Sequence, residues 1–103
     1  MPIYSAISQL CSNYPKSEQQ AQSFLSTLTP QVQEQLICAI YLGRDHLHSA
    51  ALREDCELSR ASTDHIPAGD YAQIVFEKGD SGITYLKKLT QCAAASGFDL
   101  NSL

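Results

Sequence analysis

The residue types best suited to metal chemistry lie in one short run, Asp45-His46-Leu47-His48. Carboxylates and imidazoles are common zinc ligands. On a helix, however, side chains two positions apart point about 200° away from each other, so His46 and His48 cannot share one ion. Asp45 and His48, three positions apart, could do so, but such a pair is more often a helix cap beside an exposed histidine. We therefore predict no metal site, and catalysis by this cluster is the least favoured hypothesis.

The four cysteines do not form a recognisable redox or nucleophilic centre. Their positions are Cys11, Cys38, Cys56 and Cys92. No two of them have the short spacing of a zinc site or a redox dithiol. Three are in phase with apolar stripes, where burial would raise a thiol pKa. Cys56 lies between Asp55 and Glu57, whose charges disfavour a thiolate. We expect four free thiols and no cysteine-dependent enzyme.

Phosphate and nucleic-acid binding are also disfavoured. The best candidate for a phosphate loop is Gly79-Asp80-Ser81-Gly82, but Asp80 puts a negative charge where an anion would sit. The whole chain has 7 Lys and Arg against 11 Asp and Glu, a formal net charge of −4. Neutralising nucleic-acid phosphates normally requires a basic patch. We predict no cofactor, no direct nucleic-acid contact and no catalytic residues.

One group of residues consists of the side-chain types that are common in protein interfaces. Tyr41, Arg44 and Leu47 lie at and just beyond the end of a strongly apolar helix. Tyrosine and arginine are the residues that most often anchor interfaces. For Arg44 the favoured role is structural: it would satisfy the last carbonyls of the helix and pair with a carboxylate.

A second group suits an interface through its charge. The stretch Glu54, Asp55 and Glu57, with Asp64 nearby, is the densest charged feature of the chain. It could simply be the exposed face of a helix, or it could meet a partner with a basic surface. The choice between this acidic stretch and the Tyr41 side stays open at the level of sequence.

The elements that position these residues are helices. Apolar residues recur at spacings of three and four along almost the whole chain, which predicts an all-α, compact small bundle of about five to six short helices. At 103 residues we expect one helical domain, residues 1–103. Pro2 suits the first turn of the first helix and Pro15 stops it, Ser17 with Gln20 forms a capping box, and Thr29-Pro30 begins the third helix.

The third helix, residues 30–42, has the widest apolar stripe and is predicted to be central, with Gly43 as its left-handed stop. Residues 46–60 are predicted to form a mostly exposed helix and residues 62–67 a loop. Two more stripes follow, one ending at Gly79 and one running from Asp80 to Gly97. For residues 71–76 a β-strand is the alternative.

The run FLSTLTPQVQEQLICAIYLGR at residues 24–44 resembles a bacterial family of small domains of unknown function. Its members carry an apolar pair, a helix start, a Gln-rich turn and an aromatic residue before Leu-Gly-Arg. ITYLKKL, at residues 83–89, is similar to that family's C-terminal helix. The two stretches cover under half of the chain, and residues 45–68 do not align. The resemblance implies a bacterial helical domain and supplies no activity.

These observations predict a small, non-enzymatic protein-interaction module, bacterial and regulatory. The alternative is a dedicated protein inhibitor, such as an immunity protein or a phage-encoded antagonist of a defence complex, that occupies a basic surface. No apolar run approaches the roughly 18 residues of a membrane span, and no signal peptide is evident. We therefore expect a cytoplasmic protein that binds another protein and no membrane, with a homo-oligomer as a further possibility.

Overall fold

Four α-helices account for most of residues 2–103, the part of the chain that the computed structural model describes. They are α1 (Ile3–Ser12), α2 (Glu18–Leu25), α3 (Pro30–Asp45) and α4 (Tyr71–Ser96). Single 3-10 turns lie at Arg60–Ser62, Ala68–Asp70 and Leu100–Ser102. The described residues contain no strand, and their radius of gyration of 12.5 Å matches a compact domain of this length. The all-α prediction is confirmed, but five to six helices was too many.

The predicted helix starts and stops are largely correct. The Ser17 hydroxyl accepts a hydrogen bond from the Gln20 backbone N–H at 3.1 Å, and the Thr29 hydroxyl accepts one from Val32 N–H at 3.3 Å. Each bond satisfies a donor that the first helical turn leaves free. Gly97 ends α4 in the left-handed conformation, with φ of 68°.

Helix α3 lies at the centre of the bundle, as its wide apolar stripe predicts. Leu36, Ile37 and Ile40 are completely buried. Gly43, however, is not a stop, because α3 continues to Asp45. A side chain at Gly43 would overlap the backbone of Tyr85 in α4. This glycine therefore allows the two longest helices to approach each other closely, which explains its position in a helix interior despite its low helix propensity.

The last two apolar stripes belong to one helical element with a kink. Gly79 has φ of 52° and ψ of −134°, which interrupts the helical geometry within α4. The strand alternative for residues 71–76 is wrong, since they are helical. Near the kink, the Tyr14 hydroxyl donates a hydrogen bond to the Val75 carbonyl at 2.5 Å, and Gly82 leaves room for that hydroxyl. Burial of this group raises the pKa of Tyr14 to about 12.

The connecting segment, residues 46–70, differs most from prediction. Residues 46–60 contain no helix beyond the start of the turn Arg60–Ser62, so the exposed helix predicted there is wrong. Few of its apolar residues are in phase, so a helix there would have little apolar surface to bury, and helices of this length depend on such burial. Helices within residues 2–103 are not both long and apolar enough to cross a membrane.

Candidate functional site

A cleft of about 470 Å³ opens between the end of α3 and the connecting segment. We refer to it as the α3 cleft. Its α3 wall consists of Tyr41, Leu42, Arg44 and Asp45, and its opposite wall of Asp55, Cys56, Glu57, Ser62, Thr63, His65 and Ile66. The cleft therefore combines an aromatic ring, apolar side chains and charges of both signs.

His46 fixes the start of the connecting segment. Its side chain is completely buried. Its Nε2 accepts a hydrogen bond from the Arg53 backbone N–H at 3.0 Å, which places the proton of the neutral ring on Nδ1. Nδ1–H donates to the Leu42 carbonyl at 2.7 Å. Because both nitrogens are occupied, His46 is a structural clip between α3 and Arg53, and it is not available as a ligand or a base.

Three further bonds hold the connecting segment against the helices. The Leu52 N–H donates to the Ser96 hydroxyl at 3.0 Å, and the Cys92 thiol lies 3.5 Å from the Ser49 carbonyl. The Cys38 thiol donates to the Ser59 carbonyl at 3.3 Å. Burial raises the pKa of the Cys38 thiol, as its apolar surroundings predict. The second wall of the cleft thus depends on a few polar groups that α3 and α4 present to an irregular backbone, together with the half-buried side chains of Leu52, Leu58 and Ile66.

The carboxylates of the acidic stretch differ in whether a cation of the chain already pairs with them. Asp55 is engaged by Arg53, whose guanidinium donates to both carboxylate oxygens, at 3.0 and 2.5 Å. The hydrogen bonds and charge of Arg53 lower the pKa of Asp55. Glu57 accepts only from the Ser59 hydroxyl, and neither Glu57 nor Glu54 pairs with a cation in the described part of the chain. Glu54 and Glu57 are therefore the acidic residues of this stretch that could meet a partner.

Two cationic side chains lie against the ring of Tyr41. The Arg44 guanidinium carbon lies 5.0 Å from the ring centroid and the Lys78 ammonium nitrogen 4.9 Å. Both distances fall within the range of cation–π attraction. Arg44 does not take its predicted structural role, since within residues 2–103 it neither pairs with a carboxylate nor caps α3. The His46 backbone N–H donates a hydrogen bond to the Leu42 carbonyl at 3.0 Å, so this carbonyl at the end of α3 is satisfied without Arg44.

The structure brings together residues from both predicted surfaces. Tyr41 and Arg44 face Asp55 and Glu57 across the α3 cleft. Leu47 and Glu54 are exposed but do not line it.

Lys78 is the important residue that the sequence did not indicate. It lies 34 positions after Arg44 in the chain, and nothing in local spacing links it to Tyr41. Lys78 comes close to Tyr41 in the folded chain, where α3 and α4 approach each other at Gly43 and α4 is kinked at Gly79.

No three His, Cys, Asp or Glu side chains among residues 2–103 converge into a set that could hold a metal ion. All four cysteines are free thiols. Cys38 and Cys92 are buried, whereas Cys11 and Cys56 are half-buried. Cys56 lies in the cleft wall with no base positioned by a hydrogen bond to its thiol in the described structure.

A second, larger groove of about 750 Å³ runs between α1 and α2. We refer to it as the α1–α2 groove. Apart from Lys16 it is lined by uncharged side chains, namely Ser8, Gln9, Ser12, Asn13, Pro15, Gln19, Gln20, Ser23 and Phe24. It has an aromatic side chain, Phe24, that is half-buried like Tyr41, but it lacks the charges of both signs that Arg44, Asp45, Asp55 and Glu57 give to the α3 cleft.

Comparison with protein-family models, with curated proteins and with solved structures found no significant match.

Proposed function

We propose that the protein is a small, non-enzymatic protein-interaction module that binds its partner through the α3 cleft. The observation that carries the proposal is the convergence of Tyr41, Arg44 and Glu57 on one cleft of about 470 Å³. Tyrosine and arginine beside a pocket are the usual composition of an interface hot spot. A cleft of this size accommodates one or two side chains of a partner.

The walls of the cleft also support a binding role. A pre-ordered surface loses less conformational entropy on association than a mobile one. The Tyr41 wall belongs to the central helix, and the opposite wall is held by the His46 clip and the Cys38–Ser59 contact. The site therefore needs little rearrangement before it binds.

A dedicated inhibitor of a basic site is the second candidate function. It is supported by the negative charge that remains around the cleft, because Asp45, Glu54 and Glu57 have no cation partner within residues 2–103. Such charges steer a basic partner during association and make the rate depend on salt. Under this alternative, reversing Glu54 and Glu57 to lysine slows association and flattens its salt dependence.

Site-specific photo-cross-linking in the cell that makes the protein tests the proposal. A photoreactive amino acid replaces Ser62, an exposed residue of the cleft wall, and, in a matched control, Ser23 of the α1–α2 groove. We expect one specific protein adduct from position 62, and none of that adduct from position 23. The same adduct from position 23 alone, or no protein adduct from either, would contradict binding through the α3 cleft.

A further inference from the structure

The three arginines of the chain differ in how their charge is compensated. Arg53 pairs with Asp55 and Arg60 with Glu34, both at 2.5 Å. Arg44 has no carboxylate within ion-pair distance among residues 2–103, and the same is true of Lys78. Arg44 and Lys78 also lie against the same aromatic ring, that of Tyr41.

The Tyr41 ring determines where these two charges lie. Arg44 comes from the last turn of α3, and Lys78 comes from α4, one residue before the kink at Gly79. Because each charged group lies within about 5 Å of the ring centroid, the two are at most about 10 Å apart. Contact with a ring face also restricts two otherwise flexible side chains.

The pair lies at one side of the α3 cleft. Arg44 lines the cleft, and Lys78, from α4, does not. We call the Arg44 end of the α3 wall, where the pair meets the cleft, the rim. The opposite wall carries Asp55 and Glu57, and the Arg53 guanidinium already compensates the charge of Asp55. Asp45 is the neighbouring carboxylate on the α3 wall, but it forms no ion pair with Arg44 or Lys78, so at the rim an incoming negative group meets two cations that have no carboxylate partner among residues 2–103.

We propose that Arg44 and Lys78, held against Tyr41, form a binding site for one oxyanion, either a carboxylate or a phosphate group. Guanidinium offers a planar, two-pronged set of donors that matches both kinds of group, and ammonium adds a point charge. Presentation of this anion by a protein partner rests on the proposed function, whereas binding of the anion itself does not. An acidic or phosphorylated side chain of the partner would occupy the rim, beside the rest of the cleft.

NMR titration with inorganic phosphate and, separately, with acetate tests the site directly. Chloride keeps the ionic strength constant in each series. We expect saturable shifts at the Arg44 side-chain N–H and at the amides of Tyr41 and Lys78. Saturation by phosphate alone identifies a phosphate site, and comparable saturation by both anions identifies a general oxyanion or carboxylate site.

Charge-neutral variants distinguish a built site from general attraction. Arg44→Gln and Lys78→Gln should each weaken anion affinity by about tenfold, since each removes one charge-assisted contact. Lys16→Gln, which removes a cation from the α1–α2 groove, should leave the affinity unchanged. Absence of saturation with both anions, or equal affinity in Arg44→Gln, would overturn the proposal. If anions do not bind but cross-linking at position 62 succeeds, only the anion site is wrong. If anions bind but cross-linking at position 62 gives no adduct, only the proposed function is wrong.

Discussion

The contact between α3 and α4 and the connecting segment, residues 46–70, form the two sides of the cleft by different physical means. Helices α3 and α4 pack through completely buried apolar residues, among them Leu36 and Leu86, and through the glycine approach at Gly43. In the connecting segment no apolar side chain is completely buried. Leu52, Leu58 and Ile66 are half-buried against the core, and single hydrogen bonds, most clearly those of His46, hold the backbone.

This difference separates stability from site geometry. Apolar burial accounts for most of the favourable free energy of folding, so damage to the helix contact should unfold the whole domain. A lost hydrogen bond in the connecting segment should mainly displace one wall of the cleft. The same molecule can therefore lose its site without losing its fold.

Truncation of the central helix should have the largest effect. Leu36 is completely buried, and Leu36→Ala should lower the free energy of unfolding by about 2–5 kcal/mol through lost burial and a residual cavity. Leu47→Ala, in the exposed part of the connecting segment, is the matched control and should change it by less than about 0.5 kcal/mol. Urea denaturation measures both. A cost for Leu36→Ala no larger than that of the control would show that α3 is not central.

The close approach of α3 and α4 should be sensitive to a single methyl group. Gly43→Ala places a Cβ against the Tyr85 backbone, which cannot move as a side chain can, and should cost about 1–3 kcal/mol. Gly69→Ala is the control because a methyl group there meets no atom within 4 Å. Equal stabilities of the two variants, measured by urea denaturation, would mean that the helices do not meet at Gly43.

Loss of the His46 clip should act on the connecting segment more than on the helices. His46→Ala removes the acceptor of the Arg53 N–H and should cost about 1–3 kcal/mol, with His48→Ala, an exposed histidine, as control. Hydrogen exchange should accelerate at residues 47–53 and change little in the core of α3. Uniform acceleration across the chain would instead show that His46 stabilises the domain globally.

Thiol reactivity offers a smaller but direct comparison of the two regions. Unfolded, non-reduced protein should show four reactive thiols. In the folded protein Cys56 should react with a soluble disulfide reagent well before Cys38, which is buried and whose pKa burial raises. Fewer than four thiols, or equal rates for Cys38 and Cys56, would contradict the structure of the connecting segment.

Most of the helical framework could be predicted because its signals are local. Ser17, Thr29-Pro30 and Gly97 act within one helical turn, and the stripe of α3 reports its burial directly. The error at Gly43 has a physical cause: a glycine that permits close helix packing and one that ends a helix look the same in a single sequence. The kink at Gly79 was visible as a break between two stripes.

The cleft could be predicted only in part. Tyr41 and Arg44 were found from residue type, and the acidic stretch from charge density. Their meeting depends on the path of residues 46–70, which long-range bonds such as Cys38–Ser59 and Leu52–Ser96 determine and which periodicity does not report. The pairing of Asp55 with Arg53 and the position of Lys78 likewise follow from the folded chain.

The role proposed for Tyr41, to anchor a partner in the α3 cleft, is tested by the rate constants of partner binding. With the partner identified by cross-linking, surface-bound protein gives association and dissociation rates for wild type, Tyr41→Ala and the α1–α2 groove control Ser23→Ala. We expect Tyr41→Ala to speed dissociation by about tenfold or more with a smaller change in association, because the loss of a buried anchor acts mainly on the complex once formed. Ser23→Ala should match wild type. Unchanged dissociation of Tyr41→Ala would place the binding surface elsewhere on the molecule.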